Sequence, residues 1–103
     1  MRVLAAAASA LLLLAPAARA ADVEAGHKIA SDQCSRCHAV EKEGISLLEG
    51  APPFRTLGEH YPIDDLAEAL AEGIVTGHPQ MPEFEFTPEQ IDDLLAYLSS
   101  IQQ

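Results

Sequence analysis

Apolar positions follow three different patterns along the 103 residues of this chain. The first is an unbroken apolar run from Leu4 to Ala15, which includes Leu11 to Leu14 and ends at Pro16. The second is helical spacing. Val23, Gly26 and Ala30 share one face, as do Leu66, Ala67 and Leu70. Ile91, Leu94, Leu95, Leu98 and Ile101 repeat at i, i+3, i+4, i+7 and i+10, with Tyr97 flanking that face. The third pattern is the absence of a period, from Ala39 to Tyr61. No strand signal exceeds two or three residues, around Ile74-Val75, and there are no internal repeats. The patterns predict an all-α domain of three main helices joined by long loops.

Start and stop residues agree with this division. Asp22 can cap a helix over Val23 to Gln33, with Glu24 favourable in the first turn. Gly26 in mid-helix costs about 1 kcal/mol relative to alanine. A glycine there is expected where another backbone comes close, and the last helix is expected to cross the first at this residue. Pro62-Ile63-Asp64-Asp65 opens a second helix, Asp64 to Glu72, and Gly73 stands where a C-terminal αL residue belongs. Thr87-Pro88-Glu89-Gln90 combines a Thr cap, a proline at the first helical position and a glutamine three after the cap, which marks a third helix start.

The first apolar run changes the accounting. Arg2 precedes it and Ala18-Arg19-Ala20 follows it as a small-x-small cleavage signal, so residues 1–20 read as a secretory signal peptide with Ala21 as the new N-terminus. The rival reading is an uncleaved anchor. The apolar stretch is short for a spanning helix, and no stable membrane insertion is expected after cleavage. The mature domain, residues 21–103, is small enough to need a staple, a metal or a cofactor to hold its core. Such an export signal fits the bacterial periplasm. The whole chain carries a net charge of −10, which becomes −12 without Arg2 and Arg19. This disfavours nucleic acid and anionic membranes as partners and allows a basic protein partner.

Cys34-Ser35-Arg36-Cys37-His38 supplies the candidate staple. Two thiols two residues apart, followed at once by a histidine, read as a c-type haem attachment site. Each thiol adds to one vinyl group of the porphyrin. His38 then lies where its Nε2 can bind the iron as proximal ligand. A thioredoxin-like pair would need a preceding strand, a zinc site would need more ligands, and a disulfide here would close almost no loop. A haem would also account for the long aperiodic loop, which makes sense if it wraps an object. Within that loop Ala51-Pro52-Pro53-Phe54 is stiff. The Pro52 carbonyl is free to accept the second nitrogen of a ligating histidine.

Met81 is the only methionine after the signal segment, lying 43 residues beyond His38 between Pro79 and Pro82. A thioether suits haem iron and raises its potential. A buried gap-filling methionine is the plainer alternative. His78 is the competing sixth ligand, and His27 and His60 read as surface residues.

These residues together resemble a class I cytochrome c of the small bacterial monohaem kind, over essentially all of Asp22 to Ile101. Gly26 matches the first-helix glycine of that family. Cys34, Cys37 and His38 match its haem motif, and Pro52 its imidazole-orienting proline. Met81 with Pro82 resembles the distal loop, and Leu94, Tyr97 and Leu98 the terminal-helix face. Ala30 departs from the family's aromatic residue, and no tryptophan is present to hold a propionate. Arg55, Tyr61 or His60 can substitute. The lysine-rich docking face of mitochondrial relatives is absent. The resemblance implies one covalent haem c with iron, held by Cys34, Cys37 and Pro52 and ligated by His38 and Met81. It implies an electron carrier rather than an enzyme, and the acidic charge balance, not the resemblance, leads us to expect redox partner proteins that present a basic docking face. A haem c subunit of a periplasmic dehydrogenase complex and a gas-binding haem protein are the other classes.

Overall fold

The structure, a computed structural model, describes residues 2–13, 19–73 and 80–103. Its regular elements are helical throughout: α1, Val23–Gln33; α2, Leu66–Glu72; and α3, Pro88–Ile101. Two 3-10 segments, Phe54–Glu59 and Ile63–Asp65, precede α2. The expected all-α architecture is therefore present, and no strand occurs among the described residues. The strand signal at Ile74-Val75 and the ligand candidate His78 lie outside those residues. Residues 2–13 have no regular secondary structure and are exposed. No helix among the described residues is long and apolar enough to cross a membrane.

Both long helices begin as their caps dictate. Asp22 accepts the Ala25 amide at 3.1 Å. Thr87 and Gln90 form a reciprocal capping box: Thr87 Oγ1 accepts the Gln90 amide, and Gln90 Oε1 accepts the Thr87 amide. These bonds satisfy amides that have no partner inside the helix. The second helix starts two residues later than its pattern predicts. Asp64 and Asp65 belong to a 3-10 turn, and the Asp65 side chain makes no capping bond to the helix that follows. Gly73 adopts the positive φ expected of it, 79°, but its ψ of 119° leaves the αL region. The stretch from Ala39 to Tyr61, aperiodic in sequence, contains the two-turn 3-10 segment Phe54–Glu59. Its pattern escapes a 3.6-residue reading because 3-10 side chains recur every three residues.

The core is the apolar stripe of α3 set against everything else. Ile91, Leu94, Leu95, Leu98 and Ile101 are all buried, together with Ala30, Val40, Phe54, Leu70 and Tyr97. Leu66 and Ala67 of α2 pack against this cluster. At the crossing of α1 and α3 the backbones approach at Gly26. A β-carbon there would lie 2.5 Å from the Asp93 carbonyl carbon and 2.9 Å from Tyr97 Cβ, and closer still to the Asp93 carbonyl oxygen. The mid-helix glycine is thus required by the crossing.

Candidate functional site

The end of α1 builds the site. The helix does not stop cleanly at Gln33. The Cys34 and Ser35 amides still donate to the Ala30 carbonyl, and the Cys37 and His38 amides donate to the Cys34 carbonyl. This continued turning winds Cys34, Cys37 and His38 tightly together at the helix C-terminus. The two cysteines are not joined to each other. Burial pushes the Cys34 thiol up to about 11.

The loop then returns across the motif and is pinned to it at three points. The Leu48 amide donates to the Cys37 carbonyl at 3.1 Å, Ser46 Oγ accepts the Ala39 amide at 3.0 Å, and the Phe54 amide donates to the Ala39 carbonyl at 2.9 Å. These bonds deliver Pro52, whose carbonyl accepts His38 Nδ1 at 2.8 Å. A carbonyl oxygen can only accept, so Nδ1 carries the proton and Nε2 is left with its lone pair, the tautomer a metal-binding imidazole needs. The Phe54 ring packs against the same imidazole at 4.9 Å between centroids, tilted by 38°.

Cys34, Cys37, His38, Pro52 and Met81 line one cleft of about 330 Å³, the scale of small-molecule sites. Its remaining walls include Leu48, Ala51, Phe54, Pro82 and Phe84. All five site residues named by the sequence are therefore brought to one place. Two thiols, one oriented imidazole and one thioether in an apolar cleft form the donor set that a c-type haem requires, so the residues present fit that group.

Sequence reasoning missed several contributors. Phe84 closes the Met81 side and stacks on Phe86 at 5.3 Å between centroids; Phe86 in turn packs on the core. The Pro82-Glu83-Phe84-Glu85-Phe86 alternation was the available signal, since a period of two sets both phenylalanines on one side of an extended chain, where they stack between the cleft and the core. Arg36, inside the motif, is the cation on the cleft wall among the described residues. Arg55, Tyr61 and His60 do not line the cleft; the Arg55 guanidinium instead donates to the Gly44 carbonyl at 2.7 Å. His27, expected as a plain surface residue, is half-buried. It stacks on Tyr97 at 4.7 Å and contacts Glu41 at 2.6 Å through Nε2. The Tyr97 hydroxyl donates to the Val40 carbonyl at 2.6 Å, which ties α3 to the chain two residues after His38. Burial, with a smaller contribution from Glu41, raises the Tyr97 phenol above its ordinary value.

No curated protein and no solved structure matches the chain to a significant degree. A family model described as Cytochrome c does match it, over residues 23–102. That span runs from the first residue of α1 past the last of α3 and contains every residue of the cleft named above, so the chain belongs to the cytochrome c family: its work is haem-based electron transfer, and its cofactor is a covalently bound haem c with iron.

Proposed function

We propose that this chain is an exported, periplasmic one-electron carrier. Cys34 and Cys37 hold the haem by two thioethers, and His38 and Met81 serve as its axial ligands. The observation that carries the reading is the convergence of all four side chains on one cleft, with His38 locked by Pro52 in the tautomer that leaves Nε2 free. The haem, when bound, supplies a ferrous–ferric couple. The chain does the rest. The Pro52 carbonyl fixes the imidazole and increases its basicity as a ligand. Met81 contributes a soft sulfur that favours the ferrous state. Leu48, Phe54 and Phe84 keep the cleft apolar and so hold water away. Two strong protein ligands leave no open coordination position for a substrate, which is why the role is carrying rather than turnover.

Export follows from residues 1–20, read as a cleaved signal, and leaves a chain in which 16 acidic side chains, all but Asp93 outside the core, stand against only four Lys and Arg: Lys28, Arg36, Lys42 and Arg55. Such a surface produces a negative field that reaches about 8 Å at physiological salt. It speeds encounter with a basic partner and leaves short-range apolar contact almost unchanged. The partner we propose is therefore a redox protein with a basic docking face. The acidic surface of Asp64, Asp65, Glu68 and Glu72 and the Glu83-Glu85 edge beside Met81 are the two docking surfaces offered to it. The test is the bimolecular electron-transfer rate across ionic strength. A steep fall with salt supports steering, and Glu83→Lys with Glu85→Lys flattens the slope if that edge is used. A rate that is flat or rises with salt refutes the basic partner.

A further inference from the structure

Asp93 is the one charged residue buried among the described residues, with 4% of its surface exposed. It sits on α3 at the crossing where Gly26 of α1 passes over its backbone. Every side-chain partner it has comes from the segment leading into α1. The Arg19 guanidinium grips both carboxylate oxygens, at 3.2 and 2.9 Å. The Asp22 amide donates to Oδ1 at 2.8 Å. Hydrogen bonding from Arg19, and next from the Asp22 amide, holds the Asp93 carboxyl below the usual carboxylate range.

Cleavage between Ala20 and Ala21 removes Arg19. A buried carboxylate stripped of its cation is strongly unfavourable. The same cut, however, creates a new cation. The α-amino group of Ala21 belongs to the residue just before the Asp22 amide that already touches Oδ1, one peptide unit or about 3.8 Å of Cα separation away. Lys28, the one lysine or arginine within α1, is held by Asp32 at 2.7 Å.

We propose that Asp93 is a binding site for the mature N-terminus: after export, the Ala21 ammonium takes the place of the Arg19 guanidinium on the Asp93 carboxylate. This rests on the reading of residues 1–20 as a cleaved signal, and it extends beyond the electron-carrier role. One carboxylate then serves both forms of the chain. In the precursor it ties the signal segment to α3, and in the processed protein it ties the first residue of the domain to α3. The other charges that face this corner are Asp22 at the head of α1 and Glu89 on α3. Both are acidic, so both act in the same direction as Asp93 on a positive N-terminus.

The experiment uses the exported holoprotein. Its intact mass first shows where the chain begins. A start other than Ala21 overturns the export reading as drawn here, and this proposal with it. With Ala21 confirmed, the α-amine is titrated by NMR after reductive methylation with a ¹³C label. The expected midpoint lies at least about one pH unit above the ordinary ~7.7–8.0 of an N-terminal amine. It falls back toward that range in Asp93→Asn. A variant with Gly-Ser inserted after Ala20 displaces the amine without touching the core, and gives the ordinary midpoint if Asp93→Asn does not fold. An ordinary midpoint in the wild-type protein overturns the proposal while leaving the export reading intact. So does a raised midpoint that neither variant lowers.

Discussion

Gly26→Ala tests the packing on which the whole site depends. The added β-carbon would stand 2.5 Å from the Asp93 carbonyl carbon, whereas ordinary van der Waals contact begins at 3.4 Å. The atoms it meets belong to the α3 backbone and to Tyr97 Cβ, not to the end of a flexible side chain. Relief therefore requires α1 and α3 to separate by about 1 Å, which loosens the core cluster that Ala30 of α1 shares with the buried face of α3. Overpacking of this kind costs about 1–3 kcal/mol, and alanine returns at most ~1 kcal/mol in helix propensity. The balance is a net loss on the order of 1–2 kcal/mol. For a domain of this size each kcal/mol lowers Tm by roughly 4–8 °C. Thermal unfolding of the oxidised holoprotein, followed by far-ultraviolet circular dichroism, measures it. A Tm equal to or above that of the wild type would refute the close crossing.

Other perturbations probe the cleft and its supports. Replacing either thiol, Cys34→Ala or Cys37→Ala, removes one of two covalent anchors and sharply lowers the yield of haem-loaded protein; a double variant that accumulated as folded, protease-resistant protein without haem would refute the staple. Met81→Ala keeps the haem attached, lowers the potential and quickens cyanide binding, and an unchanged potential would remove Met81 as ligand. Tyr97→Phe deletes the 2.6 Å bond to Val40 and strands a buried carbonyl, at a cost of about 1–2 kcal/mol in urea unfolding at pH 7. Because the folded state raises the Tyr97 phenol, the folded protein holds that proton more tightly than the unfolded chain. Its contribution is complete below the unfolded value near 10 and is lost as pH climbs through the folded value. Wild-type stability therefore falls over that alkaline range by more than that of Tyr97→Phe; parallel pH profiles would contradict this.

The helices and the site were legible because each is carried by a local code. Asp22 and Thr87 announce helix starts through capping bonds made within three residues. The α3 stripe repeats at 3.6, and the haem motif fits inside five residues. Even the Pro52–His38 bond, which joins positions far apart in sequence, was accessible, because a ligating imidazole needs an acceptor and a stiff proline segment can offer one. Contacts without a local code stayed hidden. The Asp93 carboxylate looks like any helix-surface acid in a run of Asp92-Asp93; nothing local shows that its backbone will meet Gly26 or that Arg19 and the Asp22 amide will close on its side chain. His27 gives no sign that α3 will bring the Tyr97 ring against it. The 3-10 segment Phe54–Glu59 was invisible to a search for helical and strand periods, although its Phe54 ring packs against the His38 imidazole.

Absorption spectroscopy of the purified holoprotein, oxidised and reduced, decides whether Cys34, Cys37, His38 and Met81 together hold a covalent, six-coordinate haem. With two thioether bonds the haem stays with the chain after denaturation in acidified organic solvent. With His38 and Met81 both bound, the spectrum is low-spin in both states, and the oxidised form shows the weak far-red band of methionine-bound ferric iron. Haem that extracts into the solvent would contradict the thioether anchors. A high-spin oxidised spectrum without the far-red band would contradict Met81 as the sixth ligand.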